Sequence, residues 1–113
     1  MQIVDKTITL HELKLMADKM FGNFVKAVVD VEKGIMAVDA ELHADEEAFL
    51  IENGSKQSDL WGINLYPEME GDDFVEYDSM INIKPAQGNR SRTVADPALR
   101  AQILSIVTGI VKR

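Results

Sequence analysis

Four side chains that could do acid–base or metal chemistry alternate along one short stretch of the chain: Asp39, Glu41, His43 and Asp45. If the apolar–polar alternation before them continues as a strand, Asp39, Glu41 and His43 share a face, on which neighbouring side chains lie about 6–7 Å apart. Mixed nitrogen and oxygen ligands suit zinc, manganese or iron, so these three residues are candidate ligands of a divalent metal. His43, Glu41 and Asp45 could equally provide a general base and its orienting partner. The alternatives are a solvated strand face and an ordinary helix N-terminus.

Recognised catalytic motifs are absent. The chain has no His-Glu-x-x-His zinc motif, no Gly-x-Ser-x-Gly elbow and no phosphate loop ending in Lys-Ser/Thr. It has no cysteine, which excludes disulfides, thiolate metal sites and thiol catalysis. Whether the protein is an enzyme therefore stays open.

An arginine-containing loop, Asn89-Arg90-Ser91-Arg92, is the second candidate site. Arginine presents a planar fork of donors that suits carboxylate or phosphate. Asn89, Arg90 and Arg92 are therefore candidate binding residues for a small anionic ligand. The alternative is a structural tie, in which the arginines bind the acidic residues 39–47 of the same chain or of a neighbour.

Charge is divided unevenly along the chain. Residues 1–83 carry six basic and 18 acidic side chains, a net of −12, whereas residues 84–113 carry a net of +5. The whole chain, at −7, is a poor candidate for non-specific nucleic-acid binding, which depends on an excess of lysine and arginine. The division suggests a basic segment lying on an acidic body, within one chain or between two, and favours a homodimer.

Length and hydropathy predict one soluble domain over residues 1–113. No apolar run approaches the roughly 20 residues of a membrane span, and the N-terminus lacks the basic-then-apolar layout of a signal peptide. We therefore expect a cytoplasmic protein with no membrane partner.

The elements that would position these residues follow from local signals. Thr9-Leu-His-Glu12 is a helix capping box, and Lys33-Gly34 predicts the turn of a hairpin between strands 24–32 and 35–42. Asp45 is a candidate N-cap for a helix that Asn53-Gly54 ends. The remaining predicted elements are an edge strand at Ile3-Val4, strands at residues 60–66 and 74–84, and a last helix that begins at Asp96-Pro97.

The predicted fold class is α+β, in two layers, with the order β-α-β-β-α-β-β-α. An antiparallel or mixed sheet of four to five strands would carry its helices on one face. The uncovered face would be polar and would present Glu41, His43, Asn64 and Asn82. Asn64 and Asn82 are therefore candidate ligand-binding residues.

Several short motifs carry a resemblance to a known family. They are Leu42-His-Ala-Asp-Glu, Asp59-Leu-Trp-Gly, Asn64-Leu-Tyr-Pro, Gly88-Asn-Arg-Ser-Arg and Asp96-Pro. With them the chain resembles, over nearly its whole length, a family of small uncharacterised prokaryotic proteins. The resemblance implies a complete stand-alone protein and no particular activity.

Together these patterns favour a small ligand- or protein-binding module with a polar sheet face and an arginine loop. The alternative is a small hydrolase, metal-dependent or acid–base, that uses His43 with nearby carboxylates.

Overall fold

The computed structural model describes all 113 residues. Three α-helices and seven β-strands follow one another along the chain, and short 3-10 turns connect some of them. They are β1 (Gln2–Val4), β2 (Ile8–Thr9), α1 (Leu10–Lys19), β3 (Val25–Asp30), β4 (Ile35–Val38), α2 (His43–Glu52), β5 (Leu60–Leu65), β6 (Val75–Glu76), α3 (Pro97–Ile110) and β7 (Val111–Lys112).

Five strands form one antiparallel sheet in the order β1-β4-β3-β5-β6, which confirms the predicted α+β class. The β3–β4 hairpin is confirmed at its centre. Its turn is held by Asp30, whose carboxylate accepts from the backbone amides of Glu32 and Lys33, each at 2.9 Å. Gly34 takes the left-handed φ of 69° that closes the turn.

The first helix and the last helix cover one face of the sheet. The apolar faces of α1 and α3 pack on the side chains of β3, β4 and β5 that alternate toward them. This larger core includes Leu13 and Met16 of α1, Ile103 and Val107 of α3, and Ile63 of β5.

Helix α2 packs on the opposite face, which differs from the predicted single helical layer. Leu50 of α2 forms a smaller core with Val28, Ala37 and Leu60, whose side chains alternate away from α1 and α3. Because the central strands are apolar on both faces, each face needs a helical cover. Polar side chains lie toward the two ends of this second face, with Lys26 and Asn64 at one end and Asp30 at the other.

The predicted strand over residues 74–84 is wrong in length. Strand β6 holds only Val75–Glu76, and the chain then turns through 3-10 turns at Met80–Asn82 and Pro85–Gln87. Ser79 accepts a hydrogen bond from the amide of Ile81, a local bond that competes with strand pairing.

The helix starts follow the predicted caps in two cases out of three. Thr9 accepts from the amide of Glu12, and Asp96 accepts from the amide of Ala98. Asp45 is not an N-cap, because α2 begins two residues earlier, at His43. The residue before it, Leu42, has no side-chain oxygen with which to cap the helix.

A two-stranded parallel sheet lies apart from the main sheet. Strand β2 pairs with β7, with Ile8 opposite Val111 and Thr9 opposite Lys112. No helix in the fold is both long enough and apolar enough to span a membrane.

Candidate functional site

A row of polar side chains crosses three strands on the face that α2 covers. Lys26 of β3 lies opposite Asn64 of β5, and Asn64 lies opposite Glu76 of β6. Side chains directly opposite one another in an antiparallel sheet point to the same side, so the three form neighbours. Lys26 extends toward the end of the sheet, where its Nζ lies 5.3 Å from the centroid of the Phe21 ring.

His43 is the first residue of α2 and lies over Gly62, the residue between Trp61 and Ile63 in β5. Its Nε2 donates to the backbone carbonyl of Ile63 at 2.7 Å, which leaves Nδ1 as the unprotonated nitrogen. Burial lowers the pKa of His43, a shift that the bond to Ile63 opposes and the charge of Lys26 adds to. The imidazole is therefore neutral at pH 7.

Charged side chains from two other segments complete the group. The charges of Lys26, Asp78 and Arg92 lie close enough to His43 to shift its pKa. Arg92 Nε donates to Asp78 Oδ1 at 2.7 Å. We call this group the polar cluster; its members are Lys26, His43, Asn64, Glu76, Asp78 and Arg92.

Asn64 is the buried centre of the polar cluster. Its Nδ2 donates to Glu76 Oε1 at 2.8 Å and to the backbone oxygen of Asp78 at 3.4 Å. Both partners are acceptors only, so they fix which end of the amide is nitrogen. Only 6% of the residue is exposed, and its buried side-chain oxygen has no hydrogen-bond partner.

The N-terminus of α2 opens beside His43. The backbone amides of His43 and Ala44 donate to no group in the chain, and no side chain caps the helix. Free amides at a helix start carry partial positive charge and attract anions. The positive charges of Lys26 and Arg92 both act on His43, the first residue of this helix.

Glu46, one turn further along α2, is fully buried. Neither of its side-chain oxygens makes a hydrogen bond of good geometry, although the Ala40 amide lies close enough to act on the carboxyl. Burial raises the pKa of Glu46 to about 10, against the opposing influence of the Ala40 amide and the charge of Lys26. The carboxyl is therefore protonated and neutral at pH 7.

The predicted metal ligands do not come together. Strand β4 ends at Val38, and Asp39 turns the chain with a φ of 70°, so the alternation does not reach His43. Asp39 instead lies 3.8 Å from the N-terminal ammonium, and Glu41 is exposed. No three histidine, aspartate or glutamate side chains in the fold are placed to hold a metal ion.

Asn82, a predicted ligand-binding residue, has a structural position. Its side-chain oxygen accepts from the amide of Gly62 at 2.8 Å, and its nitrogen donates to the carbonyl of Gly62 at 2.9 Å. One side-chain amide thus pairs with β5 as a neighbouring strand would. A second bond, to the carbonyl of Arg92, ties the arginine loop to the sheet.

Asn89 organises the arginine loop from within. Its nitrogen donates to the carbonyls of Asn82, Ser91 and Thr93, and its oxygen accepts from the amide of Ala95. These bonds occupy both ends of its side-chain amide, which is unavailable to a ligand.

The two arginines of the loop are placed differently. Arg92 pairs with Asp78 rather than with the acidic residues 39–47, and about half of its side chain is exposed. Arg90 is exposed and makes no hydrogen bond or ion pair. Of the two, only Arg92 joins the polar cluster.

Sequence reasoning did not single out Lys26, Glu76 or Asp78. Lys26 is a charged residue inside an otherwise apolar strand, Phe24 to Val29, and that interruption was the available signal. Glu76 and Asp78 offered no such signal, because they stand in a stretch that contains several other acidic residues.

The fold is α+β, with a five-stranded antiparallel sheet between helices. The chain belongs to the family described as "Protein of unknown function (DUF5674)", which matches residues 2–110. No curated protein and no solved structure matches the chain.

Proposed function

We propose that the protein is a binding module for a small anionic ligand, which it holds at the N-terminus of α2. The observation that carries the proposal is a helix start whose first amides have no partner in the chain. Two cations, Lys26 and Arg92, act electrostatically on its first residue, His43. The amides of His43 and Ala44 would donate to the anion, and the two cations would balance its charge.

The neutral His43 suits this role. An imidazolium there would be a third positive charge, but burial disfavours it. With its Nε2 donating to Ile63, the ring is held in place, so its backbone amide has a fixed position at the helix start.

Arg92 can exchange its partner at little cost. Its ion pair with Asp78 is half-exposed. Exposed pairs contribute about 0–1 kcal/mol, so an arriving anion does not have to displace a strong interaction. Asp78 then keeps its place as the acceptor of Asn64 through its backbone oxygen.

The hydrolase alternative has less support. The hydroxyl beside His43 is that of Ser79, since both side chains approach the Cα of Gly62. Ser79 accepts from the amide of Ile81 and makes no hydrogen bond with His43. A nucleophile and base in contact, which the mechanism would need, are not present.

Thermal unfolding in inorganic phosphate tests the proposal, with chloride at matched ionic strength as the reference because screening alone affects an acidic protein. A ligand that binds only the folded state raises Tm. We expect phosphate to raise the Tm of the wild type, and this rise to be at least halved in Arg92→Ala and in Lys26→Ala.

Lys112→Ala removes the same charge from an exposed position in β7 and is the matched control. It should keep the full phosphate-dependent rise. Arg90→Ala tests the part of the loop that lies outside the polar cluster, and we expect it to keep the rise as well. A rise of equal size in all four variants would contradict the proposal.

A further inference from the structure

We propose that the edge of the main sheet at β6 binds an extended segment of another protein, in which apolar and basic residues alternate. The segment pairs with β6 as a sixth strand. Exposed sheet edges accept an added strand through main-chain hydrogen bonds, and pockets for alternate side chains give the specificity. This surface lies outside the helix start at which the anion is proposed to bind, and the inference does not depend on that proposal.

Strand β6 offers unpaired backbone groups. It is the last strand of the sheet and pairs only with β5. The amide of Tyr66 donates to the carbonyl of Phe74 at 2.9 Å, so Phe74 and Glu76 turn their backbone groups toward β5 and Val75 turns its own away. The backbone N–H and C=O of Tyr77, the next residue with this orientation, make no hydrogen bond in the chain. A further strand can pair with this row.

A cavity of about 410 Å³ lies between this edge and α3. Val75 and Tyr77 line it from the strand side, and Ala101 and Leu104 line it from the helix. Val75 and Tyr77 belong to the larger core, on the face of the sheet that α1 and α3 cover. Leu104 is 38% exposed, so the helix side of the cavity offers apolar surface. This cavity suits an apolar side chain.

A second cavity, of about 420 Å³, shares the walls Asp72 and Val75 with the first. Tyr66 and Glu76 also line it, and the Tyr66 hydroxyl donates to Glu76 at 3.1 Å. Glu76 follows Val75 in β6 and therefore points to the opposite face of the sheet. The two cavities thus flank one edge. A strand paired with β6 directs successive side chains into one cavity and then into the other.

The second cavity is acidic. Three exposed carboxylates line it, and none of them makes an ion pair in the chain; they are Asp72, Asp73 and Glu76. The ring of Tyr66 adds an aromatic wall, and an aromatic face also attracts cations. This cavity therefore suits a lysine or arginine side chain, and the segment it selects alternates apolar and basic residues.

The same charges exclude a second copy of this chain as the occupant. Two copies paired through β6 would bring their unpaired carboxylates together, and like charges across a strand pair are destabilising. Arg100, which lines the first cavity, does not offset them, because its Nε donates to the carbonyl of Val94 at 2.6 Å. The complementary partner is a basic segment of a different protein.

The test uses three short peptides whose binding is measured at matched ionic strength. In the first, valine and lysine alternate; the second has the same composition but groups the lysines at one end; in the third, glutamate replaces lysine. We expect the alternating valine–lysine peptide to bind at least about fivefold more tightly than the grouped one, and the glutamate peptide not to bind. Equal binding of the two lysine peptides would show charge attraction without strand pairing and would overturn the proposal.

Asp72→Asn/Asp73→Asn removes two exposed carboxylates from the second cavity, and we expect it to weaken the alternating peptide at least about fivefold. Glu41→Gln/Glu52→Gln removes the same charge from exposed positions elsewhere and is the control. Leu104→Gln tests the first cavity, with Leu15→Gln, at an exposed leucine of α1, as its control. Controls that weaken binding as much as the cavity variants contradict the proposal.

Hydrogen exchange reports strand pairing directly. The backbone amides of Val75 and Tyr77 should exchange freely in the protein alone and become protected when the alternating peptide is bound. Amides that stay unprotected in the complex overturn the proposal. Amides that are protected in the concentrated protein without peptide, and lose this protection on dilution, show that a second copy occupies the edge, which also overturns it.

Discussion

Glu46 illustrates how one buried side chain can set the pH dependence of a small fold. At neutral pH the carboxyl is ionised in the unfolded chain, where its pKa is near the ordinary 4.5, and protonated in the fold, where burial raises the pKa to about 10. Folding at pH 7 therefore takes up a proton. Over the 2.5 pH units between 4.5 and 7 this uptake costs about 3 kcal/mol.

We predict that Glu46→Gln stabilises the protein at pH 7 by up to about 3 kcal/mol, because glutamine is neutral in both states. The folded pKa is raised, so the wild type keeps full stability below pH 4.5 and loses it as the pH rises toward 10. The gain of the variant should accordingly disappear near pH 4.5. Urea unfolding of both proteins between pH 4.5 and 9 measures it.

Glu52→Gln is the control, since Glu52 is exposed near the end of the same helix. Its effect should stay within about 0.5 kcal/mol at every pH. A Glu46→Gln variant whose stability follows the wild type in parallel across the pH range would show that Glu46 does not take up a proton on folding.

At the scale of elements, the closest packing is between β5 and the turn at Met80–Asn82. A Cβ on Gly62 would lie 2.5 Å from Cβ of Ser79 and 3.2 Å from Cδ2 of His43. The glycine lets Ser79 and His43 approach the strand from two sides, while Asn82 pairs with its backbone. The sheet edge, the turn and the start of α2 therefore meet at one residue.

We predict that Gly62→Ala destabilises the fold by about 1–3 kcal/mol, the usual cost of overpacking a close contact. Gly109 in α3 provides the opposite case, because a Cβ there meets no atom within 4 Å. Gly109→Ala should stabilise by up to about 0.5–1 kcal/mol, the gain of alanine over glycine in a helix, although Gly109 lies in the last turn of α3. Chemical unfolding gives both values, and a Gly62→Ala variant as stable as the wild type would rule out the contact.

Local signals identified most of these elements from the sequence. Thr9, Asp96 and the Lys33-Gly34 turn act through neighbours in the chain, so their patterns predicted the start of α1, the start of α3 and the β3–β4 hairpin. The class and the five strands followed from alternation. Alternation did not predict the side of the sheet on which α2 packs, because the central strands are apolar on both faces.

The candidate site was harder to predict, because its contacts join residues that are distant in the chain. The predicted site residues His43, Asn64 and Arg92 all lie in the polar cluster, but the partners that define them are distant in the chain. Asn82 and Asn89 looked like surface ligands, whereas tertiary contacts use both ends of each side-chain amide to satisfy backbone groups. Asp39 and Glu41 were grouped with His43 only through a strand that ends before them.

For the whole molecule, the basic C-terminal part lies on residues 74–78 of its own chain. Arg92 pairs with Asp78, Arg100 lies over the ring of Tyr77 at 4.6 Å, and Arg113 lies over the ring of Phe74 at 4.9 Å. Of these contacts only the Arg92–Asp78 pair joins a basic side chain to a carboxylate, so little of the charge division is neutralised by ion pairs within the chain.

We still propose a homodimer, and the support for it is now the exposure of apolar side chains. Met80 is 64% exposed, and Leu42, the residue before His43, is 54% exposed. We predict a dimer by light scattering at high micromolar concentration, and its weakening in Met80→Ser, which removes apolar surface without touching the core. Lys56→Ser, at an exposed polar site, is the control. A monomer mass at every concentration up to roughly 500 μM, a generous upper limit for weak association, would contradict the proposal.

The pairing of β2 with β7 joins positions about a hundred residues apart, Ile8 with Val111 and Thr9 with Lys112. Such a contact has a high contact order, and its loop must close before it contributes any stability. During synthesis the first helix and the hairpin leave the ribosome before α3, which completes their apolar side, and before β7, which pairs with β2. The growing chain therefore exposes the larger apolar face of its sheet until α3 has emerged. In this interval, rather than in the finished fold, that face is open to misassembly.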